Sequence, residues 1–155
     1  MDLILIAYDG SENADHAIDV AAALFGGGAA EIIHAWEPVS SAAARSAVYA
    51  IGYDDSPGLL QGERERAEAV AARGVERARS AGFEAGGEAV SGSGPIWATI
   101  VDRAAELRPR LIVMGTRGLT GLRSAVAGSV SHAVSSHSTF PVLTVPLARS
   151  SKPGG

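Results

Sequence analysis

Two stretches of this chain have residue types and spacings suited to holding an anionic ligand. The first reads Gly115-Thr116-Arg117-Gly118, then nine residues, then Gly128-Ser129-Val130-Ser131. Glycines let the backbone approach phosphate oxygens and adopt positive φ. Successive amides in such a turn form an anion nest. Ser129 and Ser131 open a predicted helix, where unpaired N–H groups and the dipole favour negative charge. Their hydroxyls are suited to donate to phosphate or to help hold Mg²⁺. Arg117 and Arg123 stand either to offset phosphate charge or as solvated loop residues. The second stretch, Tyr8-Asp9-Gly10-Ser11, puts a carboxylate at the end of a predicted strand.

Competing chemistries fail on residue grounds. A P-loop needs Gly-x-x-x-x-Gly-Lys-[Ser/Thr], and the sole lysine is Lys152 in the tail. Gly26-Gly27-Gly28 follows a predicted helix, so it is no dinucleotide fingerprint. No Gly-x-Ser-x-Gly elbow occurs. His132 and His137 are five apart, on different sides of a helix, which is poor metal spacing. With no cysteine there is no disulfide framework, thiolate zinc site or thiol nucleophile. A net charge of -4 provides no basic field for nucleic acid. The N-terminal apolar run meets Asp9 at once, as a strand does and a signal peptide does not. No stretch is long and apolar enough to span a bilayer. The expectation is a soluble, cytoplasmic protein with no membrane or nucleic-acid partner. No lysine or evident general base serves fast phosphoryl transfer, and Asp9 is the site's only carboxylate.

The elements that must position these groups follow from hydrophobic period and turn chemistry. Leu3 to Tyr8 is an unbroken apolar run, the pattern of a strand buried on both faces. Ser11 caps a helix with Ala17, Ile18, Ala21, Ala22 and Phe25 on its apolar side, and Gly26-Gly27-Gly28 ends it. A second strand runs from about Ala30 to Trp36. Glu37 to Pro57 has no period and reads as a flexible loop or lid. A helix over Gly58 to Ala81 turns Ala67, Val70, Ala71, Val75 and Ala78 to one side, with an Arg- and Glu-rich solvated face opposite. Phe83 to Ser91 is a third strand, weakened by Gly86-Gly87. Pro95 opens a helix that buries Ile96, Trp97, Ile100, Val101 and Ala104. Arg110 to Met114 is the fourth strand. Gly128 to His137 is the last helix, Pro141 to Pro146 the last strand, and Arg149 to Gly155 a disordered tail. His34 and His132 read as structural or surface groups, and Trp36 and Trp97 as packing residues in preference to a base-stacking platform. Strict β/α alternation over 155 residues implies one domain built on a parallel sheet with helices on both faces. Ligands bind such sheets beyond the strand C-termini where strand order reverses. First and fourth strands side by side would bring the Asp9 turn and the Gly115 loop together there.

The Gly-x-x-Gly, nine residues, Gly-Ser spacing resembles the nucleotide signature of the universal stress protein family, in its ATP-binding branch. Ile4 to Ser11, Leu111 to Gly115 and Phe140 to Val145 are similar to that family's first, fourth and last strands. The resemblance implies a doubly wound, Rossmann-like α/β fold over residues 1–148, its five parallel strands in the order 3-2-1-4-5. It implies ATP, with Mg²⁺, as the ligand. Asp9 would sit near adenine or ribose, the Ala35 backbone at the adenine edge and Ala7 near the ring. Gly115, Gly118, Gly128, Ser129, Val130 and Ser131 would wrap ribose and phosphates. The chargeless last strand has only its flanking prolines to block edge pairing, and the resemblance implies a homodimer through it. The expected function is nucleotide-dependent regulation or sensing in a stress response, with an unidentified protein partner. The alternatives are a slow ATPase or adenylyl-transferring enzyme, and a nucleotide-independent dimeric adaptor.

Overall fold

Aliphatic runs without polar alternation become the centre of the sheet. Ile4–Ala7 (β1) and Leu111–Gly115 (β4) lie side by side, with Gly28–Trp36 (β2) and Phe83–Ser91 (β3) beyond β1 and Val142–Val145 (β5) beyond β4. All four pairings are parallel, and the order β3-β2-β1-β4-β5 is the one expected. The computed structural model describes residues 2–39, 41, 57–116 and 129–147. Most of the predicted Glu37 to Pro57 loop, the predicted tail, and Arg117, Gly118, Arg123 and Gly128 therefore lie outside the described residues.

The helices flanking the sheet among the described residues are Glu12–Phe25 (α1), Pro57–Ser80 (α2), Ile96–Leu107 (α3) and Ser129–His137 (α4). Consecutive strand residues point to opposite faces, which explains why β1 is apolar throughout. Ile4, Ile6 and Tyr8 pack with Ala17, Ile18, Val75 and Ala78 of α1 and α2 on one face. Leu5 packs with Ile100, Ala104 and Val134 of α3 and α4 on the other.

Local chemistry sets the helix ends. The Ser11 hydroxyl accepts the Ala14 N–H at 3.1 Å, and Glu12 and Asp15 suit the positive end of α1. Gly26, in the left-handed region, closes that helix. Pro95 sits at the N-cap of α3, one residue before the predicted first turn. Phe25 departs from expectation: assigned to the buried stripe, it is 40% exposed. It lies at the N-terminal rim of the sheet beside Ile4 and Ala29, where the sheet no longer backs the end of α1.

Strand β3 spans the predicted residues, Phe83–Ser91. Despite Gly86-Gly87 it pairs with β2 without interruption from Phe83 to Ser91. A Cβ on Gly87 would lie 2.5 Å from the Ile32 carbonyl oxygen and 2.7 Å from Val75 Cγ2. The glycine is what lets α2 settle on the sheet.

On the opposite face Glu31 and Glu88 are diagonal neighbours, since Glu31 pairs with Gly86. Arg103 of α3 bridges Glu88 and Glu106. Burial pushes the Glu31 carboxyl above its usual range, Glu88 adds to this, and Arg103 opposes it. A raised folded-state pKa favours folding while the group is protonated, below the ordinary carboxylate range. That contribution is lost as pH rises through the folded value. Glu31→Gln should therefore gain about 0.2–1 kcal/mol at neutral pH, the scale of a cross-strand like-charge contact. The gain should vanish near pH ~4, where glutamate itself protonates. Urea unfolding at both pH values checks this, and a variant less stable than its parent at neutral pH contradicts it.

Candidate functional site

The chain leaves β1 for α1 on one face of the sheet and leaves β4 for α4 on the other. Adjacent strands whose continuations diverge in this way open a crevice at their C-terminal ends. Ala7, the last residue of β1, pairs with Met114. Gly115, the last of β4, pairs with Val145 of β5. The Tyr8 N–H extends the ladder, donating to the Ile33 carbonyl at 2.8 Å.

Asp9 follows at once and is half-buried. Its Oδ1 accepts the Ser11 N–H at 2.9 Å, closing a short turn in which Gly10 takes φ 81°, a conformation natural to glycine. The carboxylate therefore leaves the sheet in a defined direction. Beneath it Tyr8 is 2% exposed, and its hydroxyl donates to Asp15 Oδ1 at 2.8 Å. Burial pushes this phenol's pKa up, Asp15 adds to the rise, and Arg73 opposes it. Tyr8 thus stays a neutral donor at the floor of the turn.

Gly115 has a packing reason for being glycine. A Cβ there would lie 2.7 Å from Asn13 Cγ. Asn13 is 2% exposed, and its Nδ2 donates to the Val145 carbonyl at 3.0 Å. The same carbonyl accepts the Thr116 N–H at 3.1 Å. One asparagine thus ties the start of α1 to the ends of β4 and β5. Sequence reasoning passed over Asn13, yet a signal exists: Asn13, Ala17 and Ala21 are spaced by four and all are buried. A polar residue on an apolar helical stripe implies a buried partner.

Ala7, Asp9 and Gly115 are brought together at neighbouring strand ends. Ala35 lies one strand over, half-buried, two residues beyond the partner of Ala7 and paired with Val90. Ser129, Val130 and Ser131 form the first turn of α4, which packs against α3 and β5. Ser129 is exposed, Val130 packs on the second core cluster, and Ser131 is 6% exposed. Arg117, Gly118 and Gly128 lie outside the described residues. Among the described residues the crevice holds the Asp9 carboxylate beside the Gly115 strand end, and α4 offers the amides of a helix N-terminus and the exposed Ser129 hydroxyl. That set suits a ligand with both hydroxyl and phosphate groups.

The model of the universal stress protein family matches residues 1–146. Universal stress protein YxiE of Bacillus subtilis (strain 168) is 31% identical over 145 residues, covering 92% of this chain and 97% of that one. A universal stress protein of Thermus aquaticus, from the QAH/OAS sulfhydrylase 3' region, is 34% identical over 152 residues, covering 92% and 96%. Three solved structures share the fold. A universal stress protein in complex with cAMP superposes with TM-score 0.65 at 23% identity, covering 95% of this chain and 98% of the other. One from Archaeoglobus fulgidus in complex with dAMP gives 0.60 at 19%, covering 93% and 96%. A family protein from Arabidopsis thaliana with AMP bound gives 0.59 at 14%, covering 99% and 97%.

Proposed function

The chain belongs to the universal stress protein family, and from that membership we propose that it binds an adenine nucleotide in the crevice between β1 and β4. ATP with Mg²⁺ is the proposed form. The observation that carries the reading is the meeting of the Asp9 turn and the Gly115 strand end on adjacent strands whose chains diverge to opposite faces. The Asp9 carboxylate accepts from a ribose hydroxyl or the adenine amino group. The first amides of α4 and the exposed Ser129 hydroxyl meet the phosphates, and that hydroxyl with the phosphate oxygens suits Mg²⁺. The relatives with cAMP, dAMP and AMP bound support adenine as the base.

Nucleotide occupancy serves regulation or sensing in a stress response, read by a protein partner in the cytoplasm. The chargeless edge strand β5, flanked by Pro141 and Pro146, is the proposed seat of a homodimer. The test is calorimetric titration of ligand-stripped protein with AMP, and with ATP in the presence and absence of Mg²⁺. Dissociation constants of about 1 mM or tighter are expected; no adenine nucleotide binding in that range sinks the reading.

A further inference from the structure

The backbone on each side of Asp9 is held by a side chain from a distant element. His34, on β2, places Nδ1 2.8 Å from the Tyr8 carbonyl oxygen. A carbonyl only accepts, so Nδ1 carries the proton and donates. Arg73, on α2, donates from Nη2 to the Gly10 carbonyl at 2.9 Å. These carbonyls belong to the residues immediately before and after Asp9. Both lie past the last residue of β1 and before the first of α1, so neither the sheet ladder nor the helix provides for them. The third restraint is the carboxylate's own bond to the Ser11 N–H.

The turn is shaped for this arrangement. A Cβ on Gly10 would lie 2.4 Å from Arg73 Nη2, so a side chain there would displace the guanidinium. Arg73 also lies against the Tyr8 phenol, which is itself bonded to Asp15. Arg73 is exposed and His34 half-buried. Hydrogen bonds at such positions contribute little to global stability, because water competes for the same carbonyls. What they add over water is direction, since two donors restrain the Tyr8–Asp9 and Gly10–Ser11 peptide units that bracket the turn.

We propose that His34 and Arg73 are positioning residues for Asp9, holding the Tyr8-Asp9-Gly10 backbone so that the carboxylate meets an incoming ligand already oriented. The proposal rests on the adenine-nucleotide reading of the crevice. A pre-oriented turn does not need to be ordered on binding, so removing a restraint lowers affinity without touching the ligand.

Three measurements test it: AMP affinity of His34→Ala, Arg73→Gln and Arg73→Lys, the same substitutions in an Asp9→Ala background, and amide exchange at Ser11 in ligand-free protein. His34→Ala and Arg73→Gln should each weaken AMP binding about three- to tenfold, the worth of one hydrogen bond. Arg73→Lys, which keeps a donor, should recover part of the loss. In the Asp9→Ala background the same changes should cost nothing, because residues acting through Asp9 are non-additive with it. The Ser11 amide should exchange about tenfold faster in each donor-deleting variant. A wild type that binds and variants that bind equally well overturn the proposal. So does a loss that persists in the Asp9→Ala background, the mark of Arg73 touching phosphate directly. If the wild type does not bind at all, the nucleotide reading falls separately. Ser11 exchange then still decides the positioning role: faster exchange supports it, and unchanged rates overturn it.

Discussion

Replacing Asp9 with alanine is expected to weaken AMP and ATP binding by about tenfold to a hundredfold, the range for a hydrogen bond to a charged group. The variant loses two things together. One is the acceptor offered to the ligand; the other is the bond to the Ser11 N–H that shapes the turn. Asp9→Asn separates them, because an asparagine side chain still accepts from Ser11 through its oxygen but carries no charge. The asparagine variant should unfold at the wild-type temperature and bind more weakly, with a loss nearer tenfold. Calorimetry for affinity and thermal unfolding for integrity decide the matter together. An alanine variant with undiminished affinity removes Asp9 from the site. An asparagine variant as impaired in folding as in binding assigns Asp9 a structural role instead.

Gly87→Val is expected to destabilise the protein by about 3 kcal/mol, the upper part of the range for overpacking a close-packed core. For a domain of this size that lowers the unfolding midpoint by about 6–12 °C. The first side-chain carbon alone would meet the Ile32 carbonyl at 2.5 Å, Val75 Cγ2 at 2.7 Å and Ile32 Cβ at 2.8 Å. The Ile32 atoms belong to the paired strand and cannot give way, so α2 must lift. Gly74 lets α2 approach the sheet at a second point, where a Cβ would stand 2.6 Å from Tyr8 Cδ1 and 2.8 Å from Ile32 Cγ2. Lifting α2 also withdraws Arg73 from Gly10, so the site should loosen along with the core. Gly86→Ala is the control. Its Cβ would meet only the flexible end of Glu31, at 3.1 Å, and its midpoint should stay within a few degrees of wild type. Equal effects at the two positions would mean that general strand weakening, and not the α2 contact, is the cause.

The contrast at Gly86-Gly87 marks how far local pattern carries. Read along the chain, the pair is a weak point in a strand. In the fold, one of the two glycines is demanded by a helix that begins 30 residues earlier in sequence, at Pro57. The features legible in the sequence share one property: their physics is complete within a few residues. An apolar run such as Ile4-Leu5-Ile6 identifies a strand buried on both faces, because side chains alternate every residue. Ser11 identifies a helix start, because a cap closes on an amide three residues away. β/α alternation identifies the parallel sheet. Tertiary folding supplied the restraints around those groups. The Asn13 amide finds Val145 132 positions away, and Arg73 reaches Gly10 across 63. In the sequence each is a polar residue on a helix, and only Asn13, spaced by four with Ala17 and Ala21, hints that it is buried. A hydrogen bond of that separation leaves no periodic trace, because its partner is set by how two elements pack and not by the residues between them. The chain's pattern therefore marked Asp9 and Gly115 as candidate positions for the proposed nucleotide site. How Asp9 is aimed, and why Gly115 has to be glycine, depended on β2, α1 and α2 coming together around them.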